Sequence, residues 1–199
     1  MKKDDLLFIL SLFIFGVSLF FLIDGFGTLK NKIVTGNSAL GFVNLTIERV
    51  ALVNFTIDNV DWGTGSVYYN ASYATLTTLG EVIGGNWDSV GTGFIIENIG
   101  NANLSLGFSS YKNATDFIGG ENPTYEYMVS DVDEGACLSP AGFDKNNFYE
   151  FPPAGTITTI CDKFLSGQSI RFDLFLRIPY NSKVGNLSDI ISVSIEGVE

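Results

Sequence analysis

The chain has 199 residues, with 11 basic and 22 acidic side chains, no histidine and two cysteines. Beyond residue 40 it carries 7 basic against 19 acidic residues, a surface that repels phosphate backbones and so argues against nucleic-acid binding. The missing histidines exclude histidine-dependent nucleophilic catalysis and histidine-ligated metals, and two cysteines are too few for a cysteine-only zinc or iron–sulfur site.

Residues 6–23 read LLFILSLFIFGVSLFFLI, a stretch without a charge. About 20 apolar residues span a bilayer as a helix, whereas the core of a cleaved signal peptide has roughly 7 to 15. The length therefore favours an uncleaved signal anchor that holds the protein in the cell membrane, with residues 1–5 as a cytoplasmic tip. The alternative is a secreted protein cleaved after Gly27, in the small-x-small sequence Gly25-Phe26-Gly27.

Residues 24–40 show no sustained period and are predicted to be a stalk, followed by one extracellular domain over 41–199. From Val43 to Ile57, apolar side chains mostly occupy odd positions and polar ones lie between them, which is typical of a half-buried strand. The run is about three times longer than a usual strand. It predicts either one long strand shared between two sheets or two strands broken near Arg49-Val50.

Further alternating stretches predict strands at 66–76, 93–98, 103–109, 125–130, 169–178 and 190–196. The strands at 93–98 and 103–109 flank the turn 99–102 and predict a hairpin. Eight or nine short strands without a soluble helix indicate an all-β fold, an antiparallel β-sandwich of the Ig-like or jelly-roll type.

The sequence V-D-W-G-T-G-S-V, residues 60–67, contains a G-x-G pair beside one of the two tryptophans. A nucleotide-binding loop needs a third glycine and a following helix, but Tyr68 and a strand-like sequence follow here. We therefore predict a corner of the fold, with Trp62 closing one end of the core. The alternative is that Trp62 and Trp87 stack on a sugar, an idea also motivated by Tyr68, Tyr69 and Tyr73 on one predicted strand.

Two features agree with export. Six N-x-Ser/Thr sequons occur, roughly twice the number that this composition would give by chance. They predict glycosylation at Asn44, Asn54, Asn70, Asn103, Asn113 and Asn186. The two cysteines, Cys137 and Cys161, predict a disulfide, the usual state of a cysteine pair in an exported chain.

The acidic loop Asp131-Val132-Asp133-Glu134-Gly135 offers clustered oxygens, which Ca²⁺ prefers, although its glycine and its twelfth residue do not fit an EF-hand. Calcium binding by Asp131, Asp133 and Glu134 is therefore the minor interpretation, and a solvated acidic turn the main one. No residue pattern predicts a catalytic site or a bound cofactor, and we expect a protein that is not an enzyme.

The stretch Phe94–Leu106 has the form F-x-x-x-N-x-G-x-x-x-L-x-L and follows a D-W-G-T-G sequence and an apolar N-terminus. In these features the chain resembles exported Ig-like β-sandwich proteins of prokaryotic, especially archaeal, cell surfaces. It is also similar to camelysin-type fibre subunits. The resemblance implies display, adhesion or assembly at the cell surface. We expect a membrane-anchored structural or adhesive protein, with a filament subunit that self-associates or a carbohydrate-binding module as alternatives.

Overall fold

A computed structural model describes residues 11–18, 45–142 and 144–198. The chain divides into two units, residues 1–46 and 47–199. In the first unit, residues 11–18 are helical (α1) and their apolar side chains are exposed. Within the described residues, no helix has the length and apolar character that crossing a membrane requires. The rest of the predicted anchor at 6–23, the whole predicted stalk at 24–40 and Asn44 lie outside the described residues.

The second unit is mostly β, as predicted, and every pairing between its strands is antiparallel. One short helix, α2 (Ala114–Phe117), was not predicted. The strands are β1 (Val53–Ile57), β2 (Tyr73–Thr77), β3 (Val82–Ile83), β4 (Phe94–Asn98), β5 (Leu104–Ser110), β6 (Thr124–Asp131), β7 (Tyr149–Glu150), β8 (Thr158–Phe164), β9 (Ser169–Pro179) and β10 (Ile191–Gly197).

The eleven-residue strand β9 organises the larger sheet. β6 pairs with one edge of β9, and the other edge is shared by β4, along its first half, and β2, along its second half. β1, β3 and β7 extend the sheet beyond β4, β2 and β6. The smaller sheet has the order β10-β5-β8.

Aromatic side chains fill the core where the two sheets meet. Phe108 of β5, in the small sheet, contacts Tyr127 of β6 and Phe172 of β9, in the large sheet, with ring centroids 4.5 and 4.9 Å apart. Phe151 packs edge-on against Phe108 from the loop after β7. β9 can occupy the centre of the large sheet because every second residue along it is apolar. These residues, Ile170, Phe172, Leu174 and Leu176, are all buried.

The predicted hairpin at 93–109 was wrong. β4 and β5 follow each other closely, but β4 pairs with β1 and β9 whereas β5 pairs with β10 and β8. The intervening residues 99–103 therefore form an arch that carries the chain from one sheet to the other. A hairpin is impossible here because both edges of each strand are already occupied.

The buried side chain of Asn98 holds this arch. Its Nδ2 donates to the carbonyls of Ala102, 3.0 Å away, and Phe164, 3.3 Å away, and its Oδ1 accepts from the N–H of Gly100 at 3.1 Å. One amide thus joins the end of β4, the arch and the end of β8. The asparagine of the F-x-x-x-N-x-G pattern has a structural role.

Replacing Asn98 with alanine should lower the free energy of unfolding by about 2–3 kcal/mol, because it leaves buried backbone groups without partners. Chemical denaturation monitored by tryptophan fluorescence measures this loss. Asn147→Ala, at an exposed position, is the matched control and should stay within about 0.5 kcal/mol of the wild type. Equal effects of the two substitutions would contradict the role of Asn98.

The predicted long first strand is shorter than its sequence pattern. Within the described part of this run, residues 45–57, Val53–Ile57 pairs as a strand, whereas residues 45–52 have no regular structure and Ile47 is exposed. Before β1, the side chain of Asn101 still contacts this segment. Its Oδ1 accepts from the N–H of Val50, and its Nδ2 donates to the carbonyl of Glu48. The ladder ends because its partner β4 has only five residues and ends at Asn98.

The predicted strand 66–76 is interrupted by a turn. The carbonyl of Ser66 accepts from the N–H of Asn86, and the N–H of Tyr68 donates to the carbonyl of Gly84. The strand resumes at Tyr73. Between them the N–H of Ala71 donates to the carbonyl of Tyr68 at 2.9 Å. Tyr69 and Asn70 therefore project from the sheet as a bulge.

The disulfide between Cys137 and Cys161 is present, as predicted, with its Cα atoms 5.8 Å apart. Residues 137 and 140 form β-bridges to Phe164 and Cys161, on the edge of β8 that β5 leaves open. The disulfide therefore fixes this covering segment to β8. Closing a loop of this length stabilises a fold by about 3 kcal/mol in loop-entropy models.

Candidate functional site: a tyrosine-lined groove

A shallow groove of about 520 Å³ lies at one end of the large sheet. Three stretches of chain line it: the bulge 69–72, the pair Glu121-Asn122, and residues from the end of β9, Arg177 and Pro179–Asn181. The volume is within the range of small-molecule sites. We call this feature the tyrosine groove, after Tyr69 and Tyr180.

The backbone ties the three stretches together. The N–H of Tyr180 donates to the carbonyl of Ser72 at 3.0 Å, which joins the bulge to the end of β9. The N–H of Glu121 donates to Oδ1 of Asn181, also at 3.0 Å. Gly120 has a positive φ of 82°, and a side chain there would collide with Pro179 and Asn181. These contacts hold the walls at a fixed separation.

Two aromatic rings stand exposed beside the groove. Tyr69 is fully exposed and Tyr180 is 76% exposed, so both rings are open to contact with a ligand. Tyr73, at the start of β2, is partly covered by Arg177, whose guanidinium carbon lies 4.2 Å from the ring centroid.

The polar groups of the groove are of mixed type. Arg177 donates through Nη1 to the carbonyl of Asn122 at 2.8 Å, so part of its donor capacity is already used. The side chains of Asn70, Glu121 and Asn122 are exposed. An aromatic platform with adjoining amides, one carboxylate and one guanidinium can stack on an apolar face and hydrogen-bond hydroxyl groups.

The two tryptophans predicted as stacking residues are placed differently. Trp62 and Trp87 are half-buried and pack against the core, and the ring of Trp87 fills the space above Gly65. Nε1 of Trp62 is buried and has no hydrogen-bond partner among the described residues. Residues 60–67 thus form the expected corner, whereas the rings exposed beside the groove are tyrosines.

The described sequon asparagines differ in accessibility. Asn54, Asn70 and Asn186 are exposed, whereas Asn103 and Asn113 are half-buried. Oδ1 of Asn103 accepts from Ser166 at 3.2 Å, and that of Asn113 caps helix α2 through the N–H of Asp116 at 2.8 Å. Glycosylation stays a prediction at all of these positions. The side-chain amide nitrogen is most accessible to solvent at Asn54, Asn70 and Asn186.

The acidic loop uses its carboxylates internally. Asp131 accepts from the N–H groups of Gly135 and Cys137 and pairs with Lys145 at 2.5 Å. Asp133 accepts from the N–H of Ser169 at 2.7 Å, while Glu134 is exposed. No group of three or more potential metal ligands occurs within the part of the chain that the structure describes. Calcium binding stays a prediction to which these contacts add no support.

Two other polar clusters lie apart from the groove. Asp173, at the middle of β9, is buried with Thr78 and Arg171. The hydroxyl of Tyr125 donates to Asp189 at 3.3 Å. Burial raises the pKa of both Tyr125 and Asp189, and the charge of Asp189 raises that of Tyr125 further. These groups pack within the fold, and we assign them a structural role.

Glu126 provides a test of pH dependence. Burial raises the pKa of Glu126, and Glu150, opposite it in the β6–β7 ladder, raises it further. A raised carboxyl pKa means that the folded state disfavours the charge, so this destabilisation is present at neutral pH and disappears as the pH falls below the ordinary glutamate pKa.

The Glu126→Gln variant should therefore melt at a higher temperature than the wild type at pH 7 and at the same temperature at pH 3. Thermal unfolding followed by circular dichroism at both pH values measures this difference. Glu134→Gln, at an exposed position, serves as the control. A stabilisation by Glu126→Gln that persists unchanged at pH 3 would show that charge is not its cause.

Only part of the groove is predicted from the sequence. Tyr69 is one of three tyrosines on a predicted strand and Asn70 begins a sequon, whereas no pattern singles out Tyr180, Arg177 or Glu121. The remaining signal lies in Tyr180-Asn181, an aromatic residue and an amide directly after the apolar alternation of β9 ends.

No family model, curated protein or solved structure matches this chain.

Proposed function

We propose that this chain is an exported, membrane-anchored and glycosylated cell-surface protein with an adhesive role, and that its tyrosine groove binds carbohydrate. Export is supported by the apolar stretch 6–23, the six sequons and the disulfide. We further propose that the two antiparallel sheets form an Ig-like or jelly-roll β-sandwich. The ring contacts of Phe108 across the sheets support this arrangement.

The exposure of Tyr69 and Tyr180 beside the groove carries the carbohydrate proposal. A sugar ring has apolar C–H faces and a rim of hydroxyl groups, so it suits aromatic rings with amide and charged groups nearby. The fixed backbone frame supports the same function, because a preformed site loses little entropy on binding.

The test is binding of the full-length protein to an array of neutral and acidic oligosaccharides. For each sugar that binds, calorimetry then measures the dissociation constant for the wild type and for each variant. Tyr69→Ala and Tyr180→Ala should each weaken binding about tenfold, the equivalent of 1.4 kcal/mol. Tyr111→Ala is the matched control, since Tyr111 is exposed but does not line the groove. An array without a bound sugar, or an equal loss with Tyr111→Ala, would refute the proposal.

A filament subunit is the second candidate, favoured by an exposed apolar segment without regular structure and, separately, by an open strand edge. Residues 47–52 have no regular structure although they contain Ile47, Val50 and Leu52, all exposed. Among the described strands, β10 pairs along one edge only, so its seven residues could accept a strand from a neighbour. Immunogold microscopy of intact cells separates the candidates: labelled threads support a filament, and even surface labelling contradicts it.

A further inference from the structure

Asn70 belongs to two features at once. It begins the sequon Asn70-Ala71-Ser72, and its side chain lines the tyrosine groove between Tyr69 and the end of β9. Of the sequons in the described residues, it is the one whose asparagine lines this groove. A glycan on Asn70 would start within the binding site.

The sequon is also accessible. Asn70 and Ser72 are both exposed, and Asn70 lies in the bulge that projects from the sheet. Asn103 and Asn113, by contrast, are half-buried and hold neighbouring backbone N–H groups with their side chains. Since the acceptor nitrogen of a sequon must be reached from solvent, Asn70 is well placed for modification.

The direction of the attached sugar follows from the backbone. Tyr69 is the adjacent residue, and Tyr180 is fixed next to the sequon by its N–H bond to the carbonyl of Ser72. The first sugars on Asn70 therefore emerge beside both exposed rings. Their apolar faces can stack on the same rings that a free sugar would use.

From this geometry we propose that N-glycosylation of Asn70 closes the tyrosine groove, so that the groove takes external carbohydrate only when Asn70 is unmodified. The inference rests on the proposed export and carbohydrate binding. A group held by a short flexible link has an effective concentration in the millimolar range. A tethered glycan whose own dissociation constant for the groove is about 0.1 mM would therefore weaken the binding of a free sugar about tenfold.

The first test measures the accessibility of the rings without any added sugar. The full chain is produced in a glycosylating host as the wild type and as Ser72→Ala, which removes the sequon and keeps Asn70. Both are treated with tetranitromethane, and nitration is quantified on each tyrosine peptide. We expect Tyr69 and Tyr180 to be nitrated at least about fivefold less in the glycosylated wild type, with Tyr111 equal in both forms.

Asn54→Gln is the matched control because it removes another exposed sequon, outside the groove. It should give the nitration pattern of the wild type. Equal nitration of Tyr69 and Tyr180 in the wild type and Ser72→Ala would overturn the inference. So would an unmodified Asn70 in wild-type protein from the source cells, as determined by mass spectrometry of its peptide.

The oligosaccharide array then separates the two proposals. Wild-type protein made in a non-glycosylating host, which keeps Ser72 and the rest of the groove, should bind array sugars at least tenfold more tightly than the glycosylated wild type. If both forms bind equally, the closure of the groove is refuted and carbohydrate binding stands. If the unglycosylated wild type binds no sugar while the glycosylated wild type protects Tyr69 and Tyr180 from nitration, the glycan covers the rings but the proposed function fails.

Discussion

Replacing Phe108 with alanine should lower the free energy of unfolding by about 3–5 kcal/mol, the range for loss of a large buried aromatic side chain. Phe108 is inaccessible to solvent, and its ring contacts Tyr127, Phe151 and Phe172. The alanine would leave a cavity between the two sheets that these rigid rings cannot fill. For a domain of this size the melting temperature should fall by roughly 6–20 °C.

Urea denaturation, followed by fluorescence and by circular dichroism, measures the effect of Phe108→Ala. Ile83→Ala is the control, since Ile83 is an exposed strand residue, and it should change the stability by no more than about 0.5 kcal/mol. A loss for Phe108→Ala as small as that of the control would mean that the sheets do not depend on this contact.

Replacing Arg171 with methionine should cost about 3 kcal/mol, because it leaves the carboxylate of Asp173 buried without its counter-charge. Asp173 is 1% exposed, and its Oδ1 accepts from Nε of Arg171 at 2.8 Å and from Oγ1 of Thr78 at 2.6 Å. Its Oδ2 has no partner among the described residues. The guanidinium also donates to the carbonyl of Thr78 at 2.9 Å.

A double-mutant cycle distinguishes loss of charge pairing from loss of packing. Asp173→Asn removes the charge and keeps an acceptor for Thr78, so Arg171→Met should cost less in that background than in the wild type. Chemical denaturation of the four proteins measures the coupling. Independent, additive effects of the two substitutions would contradict an ion pair at this position.

The strand content could be predicted because alternation reflects burial on one face. The predicted 93–98, 125–130 and 169–178 agree with β4, β6 and β9 to within one or two residues. Pairing could not be predicted in the same way, because a short turn between two strands fits both a hairpin and an arch. The buried amide of Asn98 decides between them, and its burial depends on Phe164, which is distant in sequence.

The groove was harder to predict than the sheets because it has no local pattern. Tyr69 and Arg177 lie more than 100 positions apart and meet because β2 pairs with β9. The sequence leaves two uses open for Trp62 and Trp87, core packing and stacking on a sugar, since a large ring is as valuable in the core as on the surface. Exposure separates these two uses, and exposure is a property of the folded chain.

The central place of β9 has a consequence for biosynthesis. Ala74 of β2 pairs with Ile178, and Phe94 of β4 pairs with Phe172. During synthesis, the pairing partner of β2 is therefore made about 100 residues after β2, and that of β4 about 80 residues after β4. A chain emerging from its N-terminus thus has apolar strands without their native neighbour until the last quarter is made. Until β9 is made, these exposed apolar strands can pair with other segments, so correct folding depends on avoiding such pairing before the last strands are added.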